Sequence, residues 1–565
     1  MFLTTNTLLL LIAAAQTTPA SPDHILINAT VHTMDEARPR AEAVAITGGR
    51  ITAVGSSKDL LAQKGASTRV LDLGGATVVP GLKESHGHFV GIGQARMSLN
   101  LVGTKSWDEV IARVAAAVKD RPKGSWVVGR GWHEGKWEKN PSRMVRGFPP
   151  HDALSAVSPD NPVYLVRADG HAGFANALAM SLMKIGADTK APSGGDIIRD
   201  EQGHATGVFV DTAQRLIQPP PPTEPDIREA IRLATEECLA KGITYFDDAG
   251  ADLRTIALYR ELEQKGQLGV RLYAMIRGLD NLKRFGAPQP GGPDSFLTVR
   301  SLKLSIDGAL GSRGAKLIEP YIDDPGNTGL WVTDPAVVRE AALYGIENGF
   351  QVNVHAIGDA GNKTVLDAFE AAFKAHPEKK DVRFRDEHSQ ILDETDIPRF
   401  GRLGVIASIQ GIHGTSDLPW ASKRLGEARV KEGAYVWQKL KKSGAILVNG
   451  TDAPVEDVDP IKSFYASVTR QSEAGIPPGG YQPDQRLTRK EALRSYTRDA
   501  YWASFAEENG GTIAPGKWAD LTVLSKDILS VPDQDILKTQ ILYTIVNGRI
   551  AYQSSRNAPA GRSNP

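Results

Sequence analysis

Between residues 76 and 449 the chain alternates short apolar runs of strand character with longer stretches of helical period. That alternation constrains the fold more than any other feature, because strands that recur with helices between them build parallel sheets. Eight runs read as strands: 76–79, 243–247, 271–276, 301–306, 351–355, 382–387, 405–409 and 445–449. Three intervening helices are well marked. Residues 226–241 follow Thr223-Glu224-Pro225 and stop at Gly242, residues 335–348 stop at Gly349, and residues 362–376 form the third. Eight strand–helix units predict an α/β fold, a (β/α)8 TIM-type barrel.

The flanks read differently. Residues 24–80 form short strands with glycine turns, as at Gly48-Gly49 and Gly74-Gly75. Residues 512–552 repeat that character, with a hairpin signal at Asn547-Gly548. Chain ends often lie close together, so one composite β-sandwich is expected from 21–80 and 506–565, with the barrel at 81–505. The gap between the first two strands, about 95–225, is too long for one crossover. It is expected to be an inserted lid or subdomain, ending in Gln218 and the proline run 219–222 as a stiff connector. Residues 1–20 contain an apolar run, 8–15, before Thr18-Pro19-Ala20-Ser21, which predicts a cleaved signal peptide and a secreted or periplasmic protein. The first seven residues hold no Lys or Arg, so a cytoplasmic location is the alternative.

Lys plus Arg and Asp plus Glu both number 66, which removes any net pull toward nucleic acid or anionic lipid. No stretch of the mature chain is apolar enough to span a bilayer. A single cysteine, Cys238, excludes an intrachain disulfide and a cysteine metal cluster, and its helical neighbours Ile227, Ile231 and Ala234 predict a buried thiol.

The chemistry is expected at the C-terminal ends of the barrel strands, where such folds place it. His86 and His88, in Pro80-Gly81-Leu82-Lys83-Glu84-Ser85-His86-Gly87-His88, are two apart and would project to one side of an extended chain. Later strand ends bring Lys303, His355, His388 and Asp452. Each alone has an ordinary reading as a structural histidine, a solvated lysine or a turn aspartate. Their convergence from five strands on one barrel face points instead to a divalent cation such as Zn²⁺. A water held by that cation is acidified toward neutrality, and Asp452 is placed to take its proton. Lys303 fits only when deprotonated, or carboxylated to a bridging carbamate.

At these motifs the sequence resembles the amidohydrolase superfamily, specifically amidohydrolase family 3, the branch with N-substituted formamide deformylase-like proteins. The resemblance rests on PGLKESHGH, KLSIDGALGSRGA, NVHAIGDAGN, RDEHSQ and NGTDAPV, with RADGHAGFANALAM and GGTIAPGKWADLTVL, and runs over about 24–552. It implies a barrel with a composite sandwich, and His86, His88, His355 and His388 as ligands of one or two metal ions. It implies Lys303 as a carboxylated bridge and Asp452 as ligand and proton shuttle. The family usually has Asp where this chain has Glu84, a residue expected to orient the ligands from behind.

His171 is a candidate to polarise a substrate carbonyl. Trp132, His133 and Trp137 are candidates for the pocket wall, Asp307 for supporting Lys303 or touching substrate, and His413 for substrate contact. The expectation is a hydrolase cutting the C–N bond of a small amide or N-acyl compound, possessing no nucleic-acid partner and forming a homodimer. The alternatives are a deaminase, esterase, lactonase or isomerase on the same site, or a silent exported binding protein.

Overall fold

The computed structural model describes residues 21–555, so the expected leader at 1–20 lies outside the described residues. Its central sheet has eight parallel strands in sequential order: β1 (Leu82–Gly87), β2 (Ile243–Ala251), β3 (Arg271–Arg277), β4 (Leu297–Ser305), β5 (Gln351–Ala356), β6 (Arg385–His388), β7 (Ile406–Gln410) and β8 (Leu447–Gly450). Helices Glu224–Ala240 and Pro335–Asn348 fall where their caps place them, and the third, Asp359–Ala375, starts three residues before its expected position. The first is opened by a Thr223–Asp226 capping box and the second ends on left-handed Gly349. Cys238 is fully buried on the first helix, and burial pushes its thiol well up.

One strand differs from expectation. The apolar run 76–79 is not a barrel strand. As Thr77–Pro80 it lies in a six-stranded sheet, parallel to Thr30–His32 and antiparallel to Leu521–Leu524. The barrel's first strand is the next segment, Leu82–Gly87, which carries Lys83, Glu84 and His86 within it. Its residues are fully buried, so the barrel interior takes the polar side chains and leaves no apolar period to read.

The six-stranded sheet joins both ends of the chain, and it packs against a four-stranded sheet of N-terminal strands. Leu26, Val44, Ile46, Val78, Leu521, Val523 and Ile545 share one apolar core between them. Between β1 and β2 the chain builds a separate six-stranded sheet, from Leu99–Asn100 to Ala205–Asp211. Among the described residues, no helix is long and apolar enough to cross a membrane.

The barrel closes at β8 and β1. There Asp452 N–H donates to His86 O at 2.8 Å. Glu84 fastens the same seam from its side chain, accepting from Thr451 N at 2.7 Å, Thr451 Oγ1 at 3.0 Å and His86 N at 3.2 Å. A Cβ on Gly450 would meet Glu84 Oε1 at 2.2 Å, so the longer carboxylate fits because glycine stands opposite it. Burial pushes the Glu84 carboxyl up to about 8.

Candidate metal centre

His86 projects from β1, His88 follows it, and Asp452 follows β8. Their donor atoms all lie within 4.8 Å of one another. Asp452 Oδ1 stands 3.2 Å from His88 Nε2 and 3.6 Å from His86 Nε2. That oxygen is buried and makes no hydrogen bond of good geometry. An orphaned carboxylate oxygen facing two imidazole nitrogens is the arrangement a divalent cation satisfies. Burial, with Lys303 beside it, pulls the His86 imidazole down to about 4, which favours the neutral, ligating form.

Two of the histidines are oriented from behind. His86 Nδ1–H donates to Glu387, leaving Nε2 toward Asp452. His388 Nδ1–H donates to Gln410 Oε1 at 2.7 Å. Such partners fix tautomer and ring angle. Glu387 is in turn paired with Arg385 Nε at 2.8 Å, and despite burial this guanidinium and His86 hold its carboxyl far below the usual range. His388 (φ +85°) and Asp452 (φ +56°) both adopt the left-handed backbone region. This strain costs about 1–3 kcal/mol per residue and gathers at functional sites.

The other expected residues are distributed unequally. Lys303 is buried with Nζ 3.3 Å from His86 Nε2, and burial lowers its ammonium. The His388 ring lies 4.7 Å from that of His86 and 4.4 Å from that of His355. His355 stands one ring further out, its Nε2 at 3.5 Å from Gly308 O. His171 comes next, with 5.1 Å between its ring and that of His355. Its Nδ1–H donates to Asp211 at 2.6 Å, and although burial opposes the charge, Asp211 raises the imidazole to about 9. His133 and His413 line the same cavity as His171, His355, His388 and Asp452.

Trp132 does not reach that cavity. It is fully buried in the core of the insert against Trp137, Phe148 and Phe174, and its indole N–H donates to Leu165 O at 2.9 Å. Asp307 does not reach Lys303; it stands behind the cavity wall, with Oδ1 3.6 Å from His355 Nε2. Its carboxylate accepts from Ile357 N, Gly358 N and Lys316 N at 2.8–3.0 Å and ties the loop after β4 to the loop after β5. Trp420, Lys136 and Glu456 also line the cavity, Lys136 pairing with Glu456 at 3.1 Å. No motif singled these out. Glu387, by contrast, was visible as the carboxylate directly before His388 on a strand end.

The sequence matches the amidohydrolase family over residues 69–552. It is 33% identical to Protein LONG AFTER FAR-RED 3 of Arabidopsis thaliana, covering 94% of this chain and 91% of that protein. It is 28% identical to the N-substituted formamide deformylase of Arthrobacter pascens, covering 94% and 98%. The fold matches the crystal structure of an uncharacterized metal-dependent hydrolase from Pyrococcus furiosus, with a TM-score of 0.69 at 28% identity, covering 90% of this chain and 100% of that one. The chain belongs to the amidohydrolase family of metal-dependent hydrolases.

Proposed function

We propose that this hydrolase cuts the C–N bond of a small amide or N-acyl compound, with Zn²⁺ held by His86, His88 and Asp452 and joined by Lys303, His355 and His388. The orphaned Asp452 oxygen between two imidazoles supports the reading most directly. The Arthrobacter relative is named for deformylating N-substituted formamides, which is C–N cleavage. A bound divalent ion supplies a water acidified toward neutrality and a polarised carbonyl.

The protein's own groups do the rest. Asp452 takes the proton of the attacking water and delivers it to the departing nitrogen. Water oxygen joins the carbonyl carbon as the C–N bond breaks, giving a carboxylic acid and an amine. His171, kept protonated by Asp211, presents a positive N–H donor to the oxygen that gains negative charge. Burial favours the neutral amine of Lys303, the form that adds CO₂ to give a carbamate.

Metal analysis of the purified protein, an amide and ester panel, and the same panel on Asp452→Asn test this reading. The expected result is bound zinc, amide turnover, and loss of turnover in the variant. Protein that binds no metal and stays inert after Zn²⁺ and bicarbonate are added would overturn it.

A further inference from the structure

Strand β6, Arg385–His388, delivers His388 to the metal centre. Along an extended strand successive side chains alternate between the two faces. Arg385 and Glu387 take the inner face, where Arg385 reaches Asp247 at 2.8 Å and Glu387 accepts from His86. By the same alternation Asp386 and His388 belong on the outer face, toward the helices. Yet the His388 imidazole lies inside, 4.4 Å from the His355 ring and 4.7 Å from the His86 ring. The backbone accounts for the reversal. His388 has φ +85° and Ser389 has φ +43°, and among the described residues no other two adjacent non-glycine residues both have positive φ. Left-handed backbone crowds Cβ against the following carbonyl, so residues other than glycine keep it only where their surroundings hold them there.

A fully buried pair spans this turn. Asp386 and Ser389 are both shut off from solvent. Ser389 Oγ donates to Asp386 O at 3.1 Å and to Asp386 Oδ1 at 3.2 Å, bridging the two residues between them. Among the described residues the Asp386 side chain bonds to no other residue, its Oδ2 has no partner, and no cation stands within ion-pair distance of it, in contrast to Asp247 and Glu387. A carboxyl buried in this way costs more than an apolar side chain would. What it makes there is one contact, to the turn that redirects His388. Beyond the turn the chain is fastened again, with Tyr435 N–H donating to Gln390 O at 2.9 Å and Ile391 N–H to Ile357 O at 2.9 Å. The Asp386–Ser389 bridge closes the interval between β6 and those anchors.

We propose that Asp386 and Ser389 are positioning residues, which hold the left-handed turn and so bring His388 into the barrel to face the metal. This rests on the reading of His388 as a metal ligand. Cobalt(II) titration of the metal-free full chain, followed by visible absorption, tests it. Ser389→Ala and Asp386→Leu should each weaken binding by about tenfold and shift the visible band, with the fold intact by circular dichroism. Asp386→Asn keeps an acceptor for Ser389 and should stay near the wild type. Ser389→Gly also lacks the hydroxyl, but glycine takes positive φ freely, so it should keep more affinity than Ser389→Ala. Should Asp386→Leu fail to fold, the two Ser389 variants carry the comparison. In a His388→Ala background, Ser389→Ala should cost no further affinity.

Unchanged affinity and spectrum in Ser389→Ala overturn the proposal. So do equal losses in Ser389→Ala and Ser389→Gly, or an undiminished loss in the His388→Ala background. If the wild type binds neither cobalt nor zinc, the hydrolase reading fails separately. The His388 ring signal of ¹³C-histidine-labelled protein, assigned by its absence from His388→Ala, then decides. A single signal in the wild type and additional ones in Ser389→Ala uphold the role of the bridge, and identical signals overturn it.

Discussion

The floor and the mouth of the barrel are both crowded with buried polar groups, and they differ in one respect. On the floor every charge has its opposite. Lys83 Nζ meets Asp247 at 2.5 Å and Ser504 at 2.5 Å, Asp247 meets Arg385 at 2.8 Å, and Arg385 meets Glu387 at 2.8 Å. At the mouth, His86 and His88 face Asp452, whose Oδ1 makes no hydrogen bond, with the Lys303 amine against His86 and the His388 and His355 rings stacked beside them. A paired buried network holds a structure together, whereas a set of donors left unpaired and strained is held ready for a ligand. Glu387 belongs to both regions, with Arg385 on one side and His86 on the other.

That contrast can be broken deliberately. The largest effect is expected on the floor. Asp247→Ala leaves Lys83 and Arg385 buried without their shared partner and should cost about 3–5 kcal/mol in chemical denaturation. Asp452→Asn should cost far less stability while abolishing turnover. If the two variants unfold alike, the distinction between regions fails. At the seam, Glu84→Ala strands Thr451 N–H and Oγ1 and should cost about 1–3 kcal/mol. Glu84→Asp should fall between it and the wild type, because the shorter carboxylate leaves a gap opposite Gly450.

Glu387→Gln tests the residue that joins the two regions. It removes the charge that holds Nδ1–H of His86, and should weaken divalent-metal binding by about 10–100-fold in a competition titration with little change in fold. The smallest effect belongs outside the barrel, where His32 Nε2 pairs with Asp527 at 2.8 Å. Burial opposes this charge, but His32 outweighs it and draws the Asp527 carboxyl down to about 2. Its stabilisation is therefore full above the ordinary aspartate value of about 4 and is lost as pH falls through about 2. Because the group is partly exposed, Asp527→Asn should cost under about 1 kcal/mol at neutral pH, and the difference from wild type should vanish in acid melts.

Much of the barrel was legible from its sequence because most of its strands carry apolar residues and alternate with helices, and the histidines and Asp452 stand at or just beyond strand ends. Strand 1 was not, since Lys83, Glu84, Ser85 and His86 fill its interior with polar groups while the apolar run 76–79 beside it serves another sheet. The floor network was equally hidden: Lys83, Asp247 and Arg385 are separated by 164 and 138 residues, and nothing local announces that they meet. Trp132 misled because a tryptophan cluster beside glycines reads as a pocket rim, while here the indoles pack on one another inside the insert. Asp307 was half legible: backbone N–H groups take most of its carboxylate, yet its Oδ1 also stands 3.6 Å from His355 Nε2.

The sheet that receives Thr77–Pro80 from one end of the chain and Leu521–Leu524 from the other also sets a timetable. Leu82 N–H donates to Thr522 Oγ1 across 440 residues of sequence. At translation rates of about 5–20 residues per second, roughly 20–90 s separate the synthesis of the two partners. Throughout that interval the strand bearing His86 lacks its sandwich neighbour, and until Thr451 is made, 367 residues after Glu84, it also lacks its seam with β8. The site must therefore be among the last parts of the nascent chain to set, and metal offered early meets histidines that do not yet face one another.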